Sequence, residues 1–277
     1  TALGRGWESR TPPTLNFTRK AGSGHHDGDR TRLSVSVHLI GMTRPTTNEF
    51  RGQEMQLVSP AEWPRTIDEA TALQQQLAPR VRIESTMPRP RTVAGLDVAY
   101  APDSDRVAGA VVVLDARTLE VLELVTEIGR AEFPYQPGLF AFRELPVLVR
   151  ALERLRTTPD LLVADGQGLA HPRRFGLACH LGVLTDLPTI GVAKTPLGRY
   201  APPGPNRGSW TSLVDAGEVV GRALRTQDGV RPVFVSVGHR TNLDTACAQV
   251  LRLSPRYRLP ETTRHADHAA RAALSSC

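Results

Sequence analysis

A chain of 277 residues, 40% of them hydrophobic, can bury a full core, most simply as one α/β domain with appendages. The net charge of +6 and pI near 9.8 favour an acidic partner such as nucleic acid. Cys179, Cys247 and Cys277 show no CxxC spacing, which argues against a disulfide framework or zinc site, and no apolar run or leader pattern points to a membrane, so a soluble cytoplasmic protein is expected.

Residues 1–54 are rich in Gly, Arg, Thr and Pro, with one brief apolar alternation over 33–40, and nothing in them supports a core. They read as a disordered or non-native extension, with Met42 and Met55 as alternative starts; His25 and His26 read as solvated rather than metal-binding. The folded part is expected over 55–275. Ser59-Pro60-Ala61-Glu62 resembles a helix start, and 67–81 carries helical apolar spacing before Pro88 and Pro90 close a linker.

Three strands are expected over 92–130. VAGLDVAY, VAGAVVVLD and 119–128 are separated by short turn-rich gaps, which implies antiparallel hairpins. Asp97 interrupts the apolar run of the first. A buried carboxylate is costly unless it is paired or holds a cation; the plainer reading is a strand-end Asp in a hydrogen-bonded turn. Residues 132–138, EFPYQPG, form a proline-bracketed loop presenting Phe133 and Tyr135, either as a wedge against stacked bases or as a staple onto the next helix. That helix is expected over 139–156, kinked near Pro146, and it carries Glu144.

The stretch PDLLVADGQGLAHPRRFGLACHLGVLTDLPTIGVAKT comes next. A short buried strand, 161–164, ends on Asp165; Gly166 and Gly168 permit close backbone approach, and His171, Arg173 and Arg174 stand just beyond. A helix over 175–184 leads to a strand over 189–193 ending on Lys194, which shares with Lys20 the distinction of being lysine in an arginine-rich chain. Ligands of open α/β sheets gather at the carboxyl ends of strands, so this rim suits a metal ion and a phosphate. With phosphates expected nearby, one of Arg173 and Arg174 is expected to contact nucleic-acid backbone rather than local acids. His180 reads as a satisfied core residue, 202–207 as a surface loop, and Gly238-His239-Arg240 as a structural turn between a strand over 232–237 and a helix over 243–253.

Three antiparallel strands, then helix, strand, helix, strand, is the order of the ribonuclease H-like α/β fold, a mixed sheet flanked by helices. Its first and fourth strands are neighbours, which would bring Asp97 to Asp165 with Glu144 leaning in from the intervening helix. Converging carboxylates are a hard-oxygen site for Mg²⁺ or Mn²⁺, as metal-assisted phosphodiester cleavage requires.

The phrases VAGLDVAY, FPYQPGLFAFRE, PDLLVADGQGLAHPRRFGLACHLG, PTIGVAKT, PVFVSVGHRTNLDTA and YRLPETTRHAD, in this order over 92–267, resemble endonuclease V, the deoxyinosine-directed nicking nuclease. Gln167 departs from the histidine that many members carry between the glycines, a change expected to be tolerated. The resemblance implies that Asp97 and Asp165 are the principal ligands of Mg²⁺, with Mn²⁺ able to substitute, and that Glu144 completes the cluster. It implies that Pro134, Tyr135, Gln136 and Pro137 form a strand-separating wedge, and that backbone around Gly138, Leu139, Gly166 and Gly168 lines the pocket of a flipped hypoxanthine. His171 and Lys194 would lie by the scissile phosphate, and Asp267, ahead of its rival His265, near the metals. The implied reaction hydrolyses the second phosphodiester 3′ to deoxyinosine, leaving 3′-hydroxyl and 5′-phosphate ends, and the protein would act as a monomer on DNA. Inosine-containing RNA as substrate, or an inosine-binding protein without cleavage, are the alternatives.

Overall fold

The computed structural model describes residues 55–276 apart from 56, 59, 61 and 103. The extension read over 1–54, with its 33–40 alternation, Lys20, His25, His26 and Met42, lies outside the described residues, as does Cys277.

Helix α1 (Ile67–Leu77) starts later than the 59–62 signal suggested. Pro64 disfavours helix in the residue before it, and a capping box takes over just beyond. The Thr66 hydroxyl accepts the Glu69 amide at 3.2 Å, while the Glu69 carboxylate accepts the amides of Thr66 (3.2 Å) and Arg65 (2.8 Å). The helix also ends early, passing into a single 3₁₀ turn at Ala78–Arg80 that contains Pro79.

An eight-stranded sheet follows, in the order β3-β2-β1-β4-β5-β8-β7-β6. β1 (Thr92–Tyr100), β2 (Arg106–Asp115) and β3 (Val121–Arg130) form the expected antiparallel meander. β4 (Leu161–Ala164) and β5 (Thr189–Ala193) run parallel to β1, with Leu96 level with Ala164. β8 (Val233–His239) returns antiparallel beside β5. Beyond it lies a hairpin absent from the sequence reading, β6 (Trp210–Asp215) and β7 (Glu218–Leu224), turning at Ala216-Gly217. Its alternation is weak because much of β6 is exposed at the sheet edge.

β4, β5 and β8 are buried along their whole length because helices cover both faces. Helices α2 (Ala141–Glu153) and α3 (Leu177–Thr185) pack on one face through residues such as Leu145, Leu148 and Leu181. Helices α4 (Leu243–Leu253) and α5 (Glu261–Ser275) pack on the other through Val250, Ala266 and Ala270. One glycine sets the height of α5. A Cβ on Gly95 of β1 would lie 2.1 Å from the Thr262 carbonyl, so only glycine lets the start of α5 settle there. The result is a ribonuclease H-like mixed sheet flanked by helices. Among the described residues no helix is long and apolar enough to cross a membrane.

Candidate active site

The parallel pairing of β1 with β4 builds the centre of the site. Leu96 O accepts the Asp165 amide at 3.2 Å, so Asp165, the first residue past β4, sits beside Asp97 on β1. Asp97 is therefore within a strand rather than in a terminal turn, and its Oδ1 accepts the Val98 amide at 2.9 Å. Glu144 enters from the first turn of α2, 6% exposed, with the Tyr100 hydroxyl 3.5 Å from its Oε1. Asp267 comes from α5 and accepts Arg271 Nε at 2.9 Å. Lys194, the first residue past β5, forms an ion pair with Asp165 Oδ2.

The carboxylates are near enough for their charges to act on one another. Burial, then the charge of Asp165, pushes the Asp97 carboxyl up to about 7. Burial, then Asp97 and Asp165, holds Glu144 well above the usual carboxylate range. Asp165 is raised by burial despite Lys194, and it feels Asp267 as well. For Lys194 burial works to lower its pKa, but the bond and charge of Asp165 outweigh it and the ammonium is held firmly protonated. From α5, the charge of Asp267 acts on both Asp97 and Asp165.

Among the described residues no set of three or more His, Cys, Asp or Glu side chains is drawn into a preformed cation geometry. The donor set nonetheless fits a hard divalent cation: oxygen ligands only, partly buried, mutually repelling, and relieved by positive charge. Lys194 supplies part of that charge at Asp165.

The proline-bracketed loop divides its two aromatics. Phe133 is 4% exposed and packs on Phe142, with ring centroids 5.5 Å apart, while Tyr135 is 70% exposed. Pro134 and Pro137 are exposed beside Tyr135, and Leu139 is buried. Gly138 turns the chain at φ +77°, and its carbonyl accepts His171 Nε2–H (2.9 Å), Arg173 Nη2 (2.6 Å) and Gln74 Nε2 (3.1 Å). Since a carbonyl only accepts, His171 carries its proton on Nε2, and its Nδ1 accepts the Arg173 amide at 3.2 Å. Burial lowers its pKa to about 4, so the ring is neutral. The structure thus places His171 and Arg173 as anchors of the loop.

Arg174, expected as the alternative phosphate contact, is taken by Asp215 (2.7 Å) and Glu218 (2.9 Å). Both guanidiniums, one of which is expected to contact nucleic-acid backbone, have partners within the protein as well: Arg173 bonds Gly138 O and Gln74 Oε1, and Arg174 bonds Asp215, Glu218 and His171 O. The amides of Gly166 and Gly168 are also used internally, by Ala164 O (2.9 Å) and Ser236 Oγ (2.8 Å). Gly168 must be glycine, because a Cβ there would lie 2.1 Å from Val237 O.

His180 is buried, as expected, but not satisfied. Neither ring nitrogen has a partner among the described residues, and Trp63, Phe142 and Phe175 surround it. His239 and Arg240 lie where β8 ends, level with the start of β5, and engage Asp186, Glu84 and the Arg82 amide in a structural cluster.

Two contributors escaped the sequence reading. Gln74 is fully buried on α1; its Nε2 also donates to Phe175 O (3.2 Å) and its Oε1 accepts Arg173 Nε (2.5 Å). The signal was present: Ala70, Gln74 and Leu77 share one helical face, and a glutamine on a buried face needs partners. Arg258, within YRLPETTRHAD, is the other: its Nη2 donates to Lys194 O at 3.1 Å.

Comparison with known proteins bears on this site. The profile of the Endonuclease V family matches residues 75–268. Endonuclease V of Nocardia farcinica is 60% identical over 223 residues, covering 79% of this chain and 97% of that relative. The crystal structure of Endonuclease V from Streptomyces avermitilis superposes with a TM-score of 0.75 at 55% identity, covering 80% of this chain and 98% of that one. Endonuclease V of Ciona intestinalis, solved in complex with a 24-mer DNA containing an inosine followed by a ribo-adenosine, gives a TM-score of 0.67 at 26% identity, over 76% of this chain and 98% of that one.

Proposed function

Because the chain belongs to the endonuclease V family and is thus a nuclease, we propose that it nicks DNA at the second phosphodiester 3′ to a deoxyinosine, in a reaction that depends on Mg²⁺ or Mn²⁺. The observation that carries this is the crowding of carboxylates at one partly buried rim, where Asp97 and Asp165 oppose the charge of Glu144, Asp165 and Asp267 that of Asp97, and Asp267 that of Asp165. Such a rim is unfavourable alone and suited to a cation.

Asp97, Asp165 and Glu144 would hold the ion, with Asp267 beside them. When bound, a divalent cation supplies Lewis-acid stabilisation of the charge that develops on the phosphate oxygens. Lys194 contributes a fixed positive charge next to Asp165, close to where the phosphate would sit. Water attacks phosphorus and the 3′-oxygen departs, leaving 3′-hydroxyl and 5′-phosphate ends; no covalent enzyme intermediate forms. Exposed Tyr135, between Pro134 and Pro137, would fill the space of an extruded base. His171, Arg173 and Gln74 keep that loop at a fixed height through Gly138 O. A hypoxanthine pairs poorly and leaves the stack cheaply, which favours its capture. The cytoplasm is the proposed compartment, in keeping with the free buried thiols Cys179 and Cys247.

A second reading, cleavage of inosine-containing RNA, is favoured by the ribo-adenosine that follows the inosine in the Ciona complex. One experiment addresses both. Labelled duplexes with a single deoxyinosine, and matched RNA strands with inosine, are incubated with and without Mg²⁺. The expected outcome is one metal-dependent nick 3′ to the deoxyinosine, absent in Asp97→Ala. Cleavage confined to RNA would transfer the substrate, and tight binding without cleavage of either would end the nuclease mechanism.

A further inference from the structure

The connection between α4 and α5, residues 254–260, meets the site through Arg258, whose charge acts on Asp165. Its backbone is fixed by side chains from elsewhere. Arg207 donates to Ser254 O (2.7 Å) and Leu251 O (2.6 Å), Gln227 Nε2 to Ser254 O (2.8 Å) and Tyr257 O (3.0 Å), and Thr226 Oγ1 to Arg258 O (2.7 Å). Arg258 points inward, donating Nη2 to Pro232 O (2.8 Å) and Lys194 O (3.1 Å), which ties the loop to the residue that pairs with Asp165.

What remains outward is chemically specific. Arg256 is exposed, and Tyr257 is 48% exposed with the Arg264 guanidinium 3.6 Å over its ring centroid. Arg231 is exposed alongside, its carbonyl accepting Arg258 Nε at 3.0 Å. Among the described residues no carboxylate pairs with Arg231 or Arg256. The end carbonyls of α4 need donors in any case, but here three side chains also hold the whole turn in one conformation. Ordering done in advance lowers the entropic cost of association. Guanidinium groups match phosphate oxygens, and a cation-backed aromatic ring is a stacking platform for a base of any sequence.

We propose that Arg231, Arg256 and Tyr257 form a second nucleic-acid contact, which holds the cleaved strand on the 3′ side of the scissile bond. The assignment of side rests on the proposed function, in which the lesion and the Tyr135 loop lie 5′ of the cut. The carboxylate rim is then served by two grips: one reads the lesion, and the other takes up backbone and stacking without regard to sequence.

Binding of the full chain to fluorescent duplexes in EDTA tests this, using one duplex with long flanks and one clipped just past the scissile bond. Each is made with inosine and with adenine. The double variant Arg231→Ala/Arg256→Ala is expected to bind the long duplex at least about tenfold more weakly, with a salt dependence shallower by roughly two released counterions. Tyr257→Ala should weaken binding with an unchanged salt slope, and Tyr257→Phe should restore it. On the clipped duplex the differences from wild type should vanish. An unchanged salt slope in the double variant, or wild-type affinity indifferent to the 3′ flank, would overturn the proposal. Should inosine and adenine duplexes bind alike, the lesion-directed reading fails, while the flank and slope measurements on either duplex still decide the role of this loop.

Discussion

His180 stands in the core with both ring nitrogens unpartnered among the described residues, walled in by Trp63, Phe142 and Phe175. Burial lowers its pKa from 6.5 to about 3. Between those values the unfolded chain takes up a proton that the folded chain refuses. Its contribution to stability is therefore fully present above about pH 6.5 and is lost as pH falls toward 3. Neutral His171, lowered to about 4, acts in the same sense. Replacing His180 with Leu should flatten this acid slope, read as denaturant midpoints between pH 4 and 7; parallel slopes in variant and wild type would refute it. Asp97 poses the opposite problem, a carboxylate held among carboxylates. Asp97→Asn should abolish nicking yet raise the stability of the metal-free protein by roughly 1–3 kcal/mol, because a buried repulsion is removed. A loss of melting temperature in EDTA would show that Asp97 is instead a stabilising partner.

At the level of elements, the site depends on how closely α5 approaches β1. With a Cβ on Gly95 only 2.1 Å from Thr262 O, Gly95→Ala must lift the start of α5 and carry Asp267 away from the rim. The expected cost is about 3 kcal/mol or more, with a fall in nicking larger than the fall in folded fraction. Equal losses would detach α5 from the chemistry. Asp97, Glu144 and Asp165 could be placed from sequence because each sits on, or directly after, an apolar strand or helix whose order in the chain fixes which strands are neighbours. The start of α1 was misplaced because 59–62 has the composition of a cap, while the Thr66–Glu69 box that caps the helix lies past Pro64. The engagement of Arg173 by Gln74 and of Arg174 by Asp215 was out of reach, since local pattern carries no information about partners 99 and 41 residues away. The β6–β7 hairpin hid for another reason: an edge strand need not alternate cleanly.

For the molecule as a whole, the described chain begins by packing against the α2–α3 face, where Met55, Leu57 and Trp63 cover the core and the Val58 amide donates to Leu184 O at 2.8 Å. A chain starting at Met55 should melt and nick like the full chain, whereas one starting at Thr66 should lose about 2 kcal/mol or more by uncovering that face. Equal stability of the two truncations would deny the segment a structural role. The four carboxylates come from β1, α2, β4 and α5, and α5 is the last of these to be synthesised. A ribosome-bound chain that has emerged only as far as β8 can pair its central strands, since domains form progressively during synthesis, but it has no Asp267 and no helix resting on Gly95. Assembly of the carboxylate rim thus waits until α5 has been made, and a product terminated before α5 would lack Asp267 and the helix that rests on Gly95.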